Sequence, residues 1–408
     1  MRKLDLVTPA EAMARLRGAL SGALASETIA ATHGRDRVLA QDVLAPIPMP
    51  EFRRSTVDGY AVRTVDTPGT LRVVAAVRMG ELAHIALRQG EAIAVPTGGN
   101  LPDDADAVVM AEDARRSDDA APPAITVTRQ LAPGENVIQQ GEDVKAGEVV
   151  LRAGARLREQ EIGGLLALGI TQISVRRRPR VALIASGDEL VPPEAQTRPG
   201  QVRNINQPML AALVARHGGI PLDFGILPDQ RQAFEEAAQR AMREADVIVF
   251  TAGSSVGERD FVPDVVSSLG QPGILAHGIL FRPGKPTLFA VCDGKPVLGL
   301  PGNPISSLVT GSLFLAPTLW QLQGAHNPPQ PRHVRARLTE DVRSPRDLEH
   351  WFPVKLSGDD YGETLDARPI STKSNLIFGL VRADGMVCAP IGVDRLAAGA
   401  EVVVRLFD

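Results

Sequence analysis

Asp246–Phe261, DVIVFTAGSSVGERDF, is the stretch on which the fold turns. "VIVF" is an apolar, β-branched run of the kind that fills a strand buried on both faces. Thr251, Gly253, Ser254, Ser255, Gly257 and Asp260 follow it at once, so a core strand empties into small and charged residues. The same alternation extends outward in both directions. Upstream, "VALIAS" reads as a strand, "NQPMLAALVARHGG" as a helix closed by Gly218, "PLDFGIL" as a strand and "DQRQAFEEAAQRAMREA" as a helix. Downstream, "FVPDVVSSLG" is a helix, "TLFAV" and "PVLGL" are strands, and "PISSLVTGSLFLAPTLWQL" is a helix. Strands spaced by helices of this length predict a doubly wound, mostly parallel sheet.

The flanks read differently. Up to about Val175 short strands such as "TLRVVAAVRMGE", "EAIAVPTGG", "DAVVMAED" and "AITVTRQLA" stand between turn residues, and Glu112–Ala124 reads as an exposed loop. Thr8, Pro9 and Glu11 mark a helix start, with Met13, Leu16, Leu20 and Leu24 at helical spacing behind it. "RRRPR", Arg176–Arg180, reads as a solvated linker at a domain start. Past "GAHNPPQPRH", four segments beginning at "VRARLTEDV" predict a small all-β terminal domain.

Composition bounds the function. The chain has 408 residues, enough for several domains, and a net charge of −4 from 44 Lys+Arg against 48 Asp+Glu, which argues against a nucleic-acid partner. No signal peptide or membrane span is read, and two distant cysteines without a CxxC pattern point to a reducing cytoplasm. The seven histidines show no zinc spacing, so any metal would be a hard, oxygen-ligated one.

In an open parallel sheet, ligands bind beyond the carboxyl ends of the strands. Three strand ends here run into glycine and polar residues. They are Ser186, Gly187, Asp188 and Glu189, then Thr251–Asp260, then Pro301, Gly302, Asn303 and Pro304 followed by Ser306 at a helix start. Glycine turns and helix starts aim backbone N–H groups at an oxyanion. Asp188, Glu189, Asp229 and Asp260 oppose a bare anion but suit Mg²⁺ placed between them and it. Arg282 and Lys285 in "FRPGKPT" supply positive charge, and Pro286 after the lysine excludes a Walker A loop. In the first half, Ser55, Asp58 and Gly59 cluster in one stretch, Thr97 and Gly98 in a second, and Gly141, Glu142 and Asp143 in a third.

"FRRSTVDGYAV", "PTGGNLPDDADAVVM", "GENVIQQGEDVKAGEVV", "VALIASGDEL", "TAGSSVGERDF", "FRPGKPT" and "GLPGNPISS" together resemble the molybdopterin molybdenumtransferase family, which includes the C-terminal domain of gephyrin. The resemblance implies a multidomain α/β plus β chain. An elongated discontinuous domain would take residues 1–45 and 144–177, a β-rich insertion 46–143, an α/β molybdopterin-binding domain 178–326, and a C-terminal β domain 327–408. It implies a cytoplasmic homodimer that inserts molybdenum from molybdate into adenylylated molybdopterin, with Mg²⁺, releasing AMP. It also implies transient contacts with other cofactor-biosynthesis proteins or acceptor enzymes. Asp58, Asp143, Glu189, Asp260 and Lys285 carry over as catalytic and Glu189, Asp229 and Asp260 as metal ligands. Thr97, Pro301, Pro304 and Ser374 carry over as substrate contacts. Asn204 and Ile205 stand where the family has an acid and a hydroxyl, and "HWFPVKL" lacks an arginine some members place there. The rival readings are a molybdopterin adenylyltransferase-like binder and a non-catalytic scaffold related to gephyrin; tungstate in place of molybdate is a third.

Overall fold

The computed structural model describes residues 6–117, 123–251, 261–358, 365–370 and 373–407. Two compact units divide it. One comprises Met1–Ala40, Gly154–Arg158 and Ile173–Asp408; the other comprises Gln41–Ala153 and Glu159–Gln172.

The first unit is built on a six-stranded sheet in the order 220–227, 180–186, 247–251, 295–300, 288–292, 272–277. The first four strands are parallel, and 288–292 runs against both of its neighbours. Side chains alternate across the sheet with the strand period of two. Val181, Leu183, Val247, Val249, Leu298 and Leu300 face one apolar layer, with Leu210, Leu213 and Leu319 from covering helices. Ala182, Ile184, Ile248, Phe250 and Val297 face the other, with Phe234, Ala238, Val262 and Val266. Helices on both faces are what the alternating pattern required, and residues 247–251 are buried throughout. Strand 272–277 was not foreseen; its proline and glycine obscured the apolar pattern.

Thr8 and Glu11 form a capping box at the helix Pro9–Ala19. That helix is shorter than the leucine spacing suggested, because Leu20 already has extended backbone. Leu20 and Leu24 still pack on the same core, reached by irregular chain. Residues 304–322 make one helix among the described residues long and apolar enough to cross a membrane, but 72% of its apolar window is buried inside the chain. It is a core helix of this sheet, with a π-turn over Gly311–Leu315 ahead of Pro317, which has no N–H to give the preceding turn.

In the same unit, strands 349–357, 365–369, 333–338, 401–406 and 385–389 pair in that order, and 349–357 also pairs with 385–389. The five close into a small barrel over Leu338, Phe352, Val354, Val387 and Val404, which leaves no free edge in the ring. Strand Phe281–Arg282 is added alongside 349–357.

The arginine-rich linker is not simply solvated. Arg177 makes two 2.6 Å bonds to the Asp246 carboxylate, which also accepts from the Arg180 amide at 2.8 Å. Burial alone would raise the Asp246 carboxyl, but these donors more than reverse it and hold it below the ordinary range. A depressed carboxyl contributes stability above its unfolded pKa and loses it as pH falls through the folded value. Asp246→Asn is therefore expected to cost about 1–3 kcal/mol at neutral pH. Urea midpoints of wild type and variant should converge on acidification; a constant gap from pH 7 to pH 3 would contradict this.

The second unit contains a six-stranded sheet in the order 107–110, 59–62, 91–95, 69–76, 124–127, 114–117. Its faces bury Tyr60, Leu71, Val109 and Ile125 on one side and Ala61, Ile93, Val95 and Val108 on the other. Part of the expected Glu112–Ala124 loop is instead the edge strand Ala114–Ser117, paired with 124–127. Exposed Arg115 and Arg116 on it obscured the strand signal in the sequence and keep the edge from pairing further.

Candidate functional site

The chain leaves 180–186 for 220–227 on one side and returns at 247–251 on the other. That reversal makes the carboxyl ends of 180–186 and 247–251 the topological switch point, where a crevice opens. Ser186, Gly187, Asp188 and Glu189 leave the first of these strands, and Thr251 ends the second. Gly253, Ser254, Ser255, Gly257 and Asp260 lie outside the described residues.

Neighbouring strands bring further loops to the same edge. Ser186 is in register with Leu227, so Asp229 emerges beside Asp188, whose Oδ1 accepts from the Asp229 amide at 3.1 Å. Thr251 pairs with Leu300, so Pro301, Gly302 and Asn303 emerge next to the Thr251 end. Strand 288–292 is antiparallel, with Leu288 opposite Gly299, so Arg282 and Lys285 precede it at this edge too. The Asp293–Gly294 hairpin, with φ of 49° and 80°, imposes that reversal. Ser374 arrives from the barrel side: its Oγ accepts from Asn303 Nδ2 at 3.0 Å and its carbonyl from the Ile305 amide at 3.1 Å. From the 180–186 strand to the 288–292 strand are three spacings of about 4.8 Å, about 14 Å in all, a span for an extended ligand rather than a lone oxyanion.

Ser186 and Ser306 are buried, whereas Asp188, Glu189, Arg282 and Lys285 are exposed. Neither Arg282 nor Lys285 makes an ion pair among the described residues, so both charges remain available to an anion. The thiols offer no nucleophile, since burial pushes Cys292 up to about 11 and Cys388 up to about 12. The carboxylates of Asp188, Glu189 and Asp229 offer hard oxygen donors at this edge. Among the described residues no three acids, histidines or cysteines converge on one point. Hard oxygen donors of this kind suit Mg²⁺, whose shell is completed by waters and substrate phosphates.

Asn206, which the sequence reading passed over, belongs here: its Nδ2 donates to Gly302 O at 2.7 Å and pins the Pro301–Pro304 loop. An asparagine on the first helical turn after a strand end was the available signal. Asn204, two residues earlier, is turned inward. Its Nδ2 donates to Gln207 Oε1 at 2.7 Å, and Gln207 Nε2 reaches Leu183 O at 2.8 Å.

Asp58, Thr97, Gly98 and Asp143 are in the second unit. Asp58 Oδ1 accepts from the Thr97 amide at 2.7 Å and the Thr97 hydroxyl at 3.1 Å. The Gly98 amide donates to Ser55 O at 2.8 Å, which ties the first two motif stretches together. Asp58 lines a 320 Å³ pocket with Tyr60, Val77, Val95 and Pro96. Asp143 is exposed, its amide donating to Met49 O at 3.0 Å.

Fold and edge together define a doubly wound α/β protein whose strand ends carry glycine turns and exposed cations suited to an anion, with additional β domains. Family models match most of the chain: the MoeA N-terminal region (domain I and II) over residues 7–169, the probable molybdopterin binding domain over 182–321, and the MoeA C-terminal region (domain IV) over 335–407. The chain belongs to the MoeA family of molybdopterin molybdenumtransferases. A molybdopterin molybdenumtransferase of Staphylococcus epidermidis is 32% identical over 91% of this chain and 88% of its own length. One of a Nostoc species is 34% identical over 90% and 86%. The crystal structure of a molybdopterin biosynthesis MoeA protein from Pyrococcus horikoshii superposes with a TM-score of 0.82 at 34% identity, covering 99% of this chain and 100% of that one.

Proposed function

We propose that this chain inserts molybdenum, supplied as molybdate, into adenylylated molybdopterin and releases AMP. The observation that carries this is the single sheet edge on which the Ser186–Glu189 and Pro301–Pro304 loops, the acid Asp229, and Arg282 and Lys285, without an ion pair among the described residues, meet. Both substrates are anionic, so the acids cannot bind them directly. Arg282, Lys285 and the backbone amides of the Ser186–Glu189 and Pro301–Pro304 loops offset the charge that builds as the phosphoanhydride breaks. Ser374 and Asn303, bonded to each other, would orient the ligand's polar end.

Glu189 and Asp229, with Asp260, would hold a hydrated Mg²⁺, which when bound supplies charge neutralisation for the phosphates. The chain would work as a homodimer, with Asp58, Thr97 and Asp143 acting on substrate held by the second copy. Their exposure and the Thr97 donors that fix Asp58 support this; a monomeric mass in solution at working concentration would remove it. A stand-alone binder is not favoured, since matches extend well beyond residues 182–321.

The test mixes purified protein with adenylylated molybdopterin and molybdate, with and without Mg²⁺. AMP release that needs molybdate and falls on chelation is expected, and Asp229→Asn should raise the Mg²⁺ needed. Tight binding without turnover would overturn the transferase reading; release unchanged by chelation would overturn the metal assignment.

A further inference from the structure

Arg282 stands on a two-residue strand whose position is set from both sides. Phe281 is fully buried against Phe314, with ring centroids 5.9 Å apart, and Leu280 O accepts from the Glu349 amide at 2.9 Å. Phe281 is in parallel register with Glu349 and Arg282 with His350. Residues in register on paired strands share a face, with the strands about 4.8 Å apart. Phe352, two residues on and so on that same face, touches the imidazole at a centroid distance of 5.6 Å. His350 Nδ1 is closed off from solvent, with no hydrogen-bond partner among the described residues. A buried polar atom left unmatched is costly, so a donor brought to it gains a role. Arg282, in register with His350 on the neighbouring strand, carries N–H donors that a change of rotamer would bring to it.

We propose that His350 is a positioning residue for Arg282: its Nδ1 accepts a guanidinium N–H and holds the planar fork facing an oxyanion at the sheet edge. An exposed arginine side chain samples many rotamers, and a second anchor cuts that freedom before the anion arrives. Burial first, and the neighbouring Arg282 charge second, push the imidazole down to about 4, so it is neutral with an acceptor to offer at neutral pH. Nothing in composition singled this histidine out, because its partner lies 68 residues earlier in the chain.

The inference rests on Arg282 acting as an oxyanion clamp, and the experiment separates the two. Molybdate binding to the full chain is measured by calorimetry for wild type, R282A, H350A, H350N, H350Q and the R282A/H350A pair, with KM and kcat for AMP release alongside. H350A is expected to weaken molybdate about 10-fold, the worth of one charge-assisted bond, with the larger change in KM. Asparagine places an amide oxygen near the Nδ1 position and should recover most of the loss, whereas glutamine reaches the Nε2 position and should not. H350A should add nothing once Arg282 is gone. If R282A weakens binding while H350A binds as wild type, or if the two losses add, the His350 proposal is overturned and the clamp stands. If R282A itself binds as wild type, the clamp reading fails and this proposal with it. Should H350A not fold, the contrast between H350N and H350Q decides, since a purely structural role predicts no preference for the Nδ1 mimic.

Discussion

Lys285→Ala is expected to slow molybdate-dependent AMP release by about 10²–10³-fold, as loss of a preorganised group facing developing negative charge does. The side chain is exposed and makes no ion pair among the described residues, so its removal leaves no buried partner and should barely move stability. Lys285→Arg should restore only part of the rate, because a planar fork differs from a compact ammonium in reach. Single-turnover AMP release against a thermal melt separates the two effects; a full rate in a folded K285A protein would exclude the lysine. Subunit mixing extends the test. If Asp58 serves the second copy's edge, an equimolar mixture of K285A and D58A proteins should regain about a quarter of wild-type activity, because half the dimers are mixed and each has one intact site. No recovery after subunit exchange would put Asp58 elsewhere.

Gly284→Ala is expected to destabilise the first unit and to disturb its basic loop. Gly284 has φ of +126°, a conformation that side chains rarely adopt, and a Cβ there would lie 2.5 Å from Thr310 Cγ2. Thr310 is fully buried, and its hydroxyl is committed to Ser306 O at 2.7 Å, so it cannot easily give way. Backbone strain and overpacking each cost about 1–3 kcal/mol. The same shift would displace Arg282 and Lys285 on either side. A urea midpoint near wild type, with normal AMP release, would show that the loop relaxes freely.

Much of this was legible beforehand, for reasons that are local. "VIVF" and "VALIAS" are strands because β-branched runs bounded by glycine and charge have few other solutions. Thr8-Pro9-x-Glu11 forms its capping box because the bonds span three residues. Errors arose where local signals were weak or masked. Arg115 and Arg116 hid an edge strand, Pro272 and Gly273 hid another, and the Arg176–Arg180 run suggested solvent where Asp246 was waiting 69 residues beyond Arg177.

The order of amino acids alone dictated the alternation of strands and helices, the doubly wound class and the positions of glycine-rich strand ends, since propensity, capping and turn chemistry act over a few residues. Which loops share an edge was decided only in three dimensions. Arg282 and Lys285 sit beside Pro301 because one antiparallel strand reverses the chain, Asn206 pins Gly302 from 96 residues away, and His350 faces Arg282 through a barrel strand. Adjacency of that kind depends on strand order and register, which short-range chemistry does not encode.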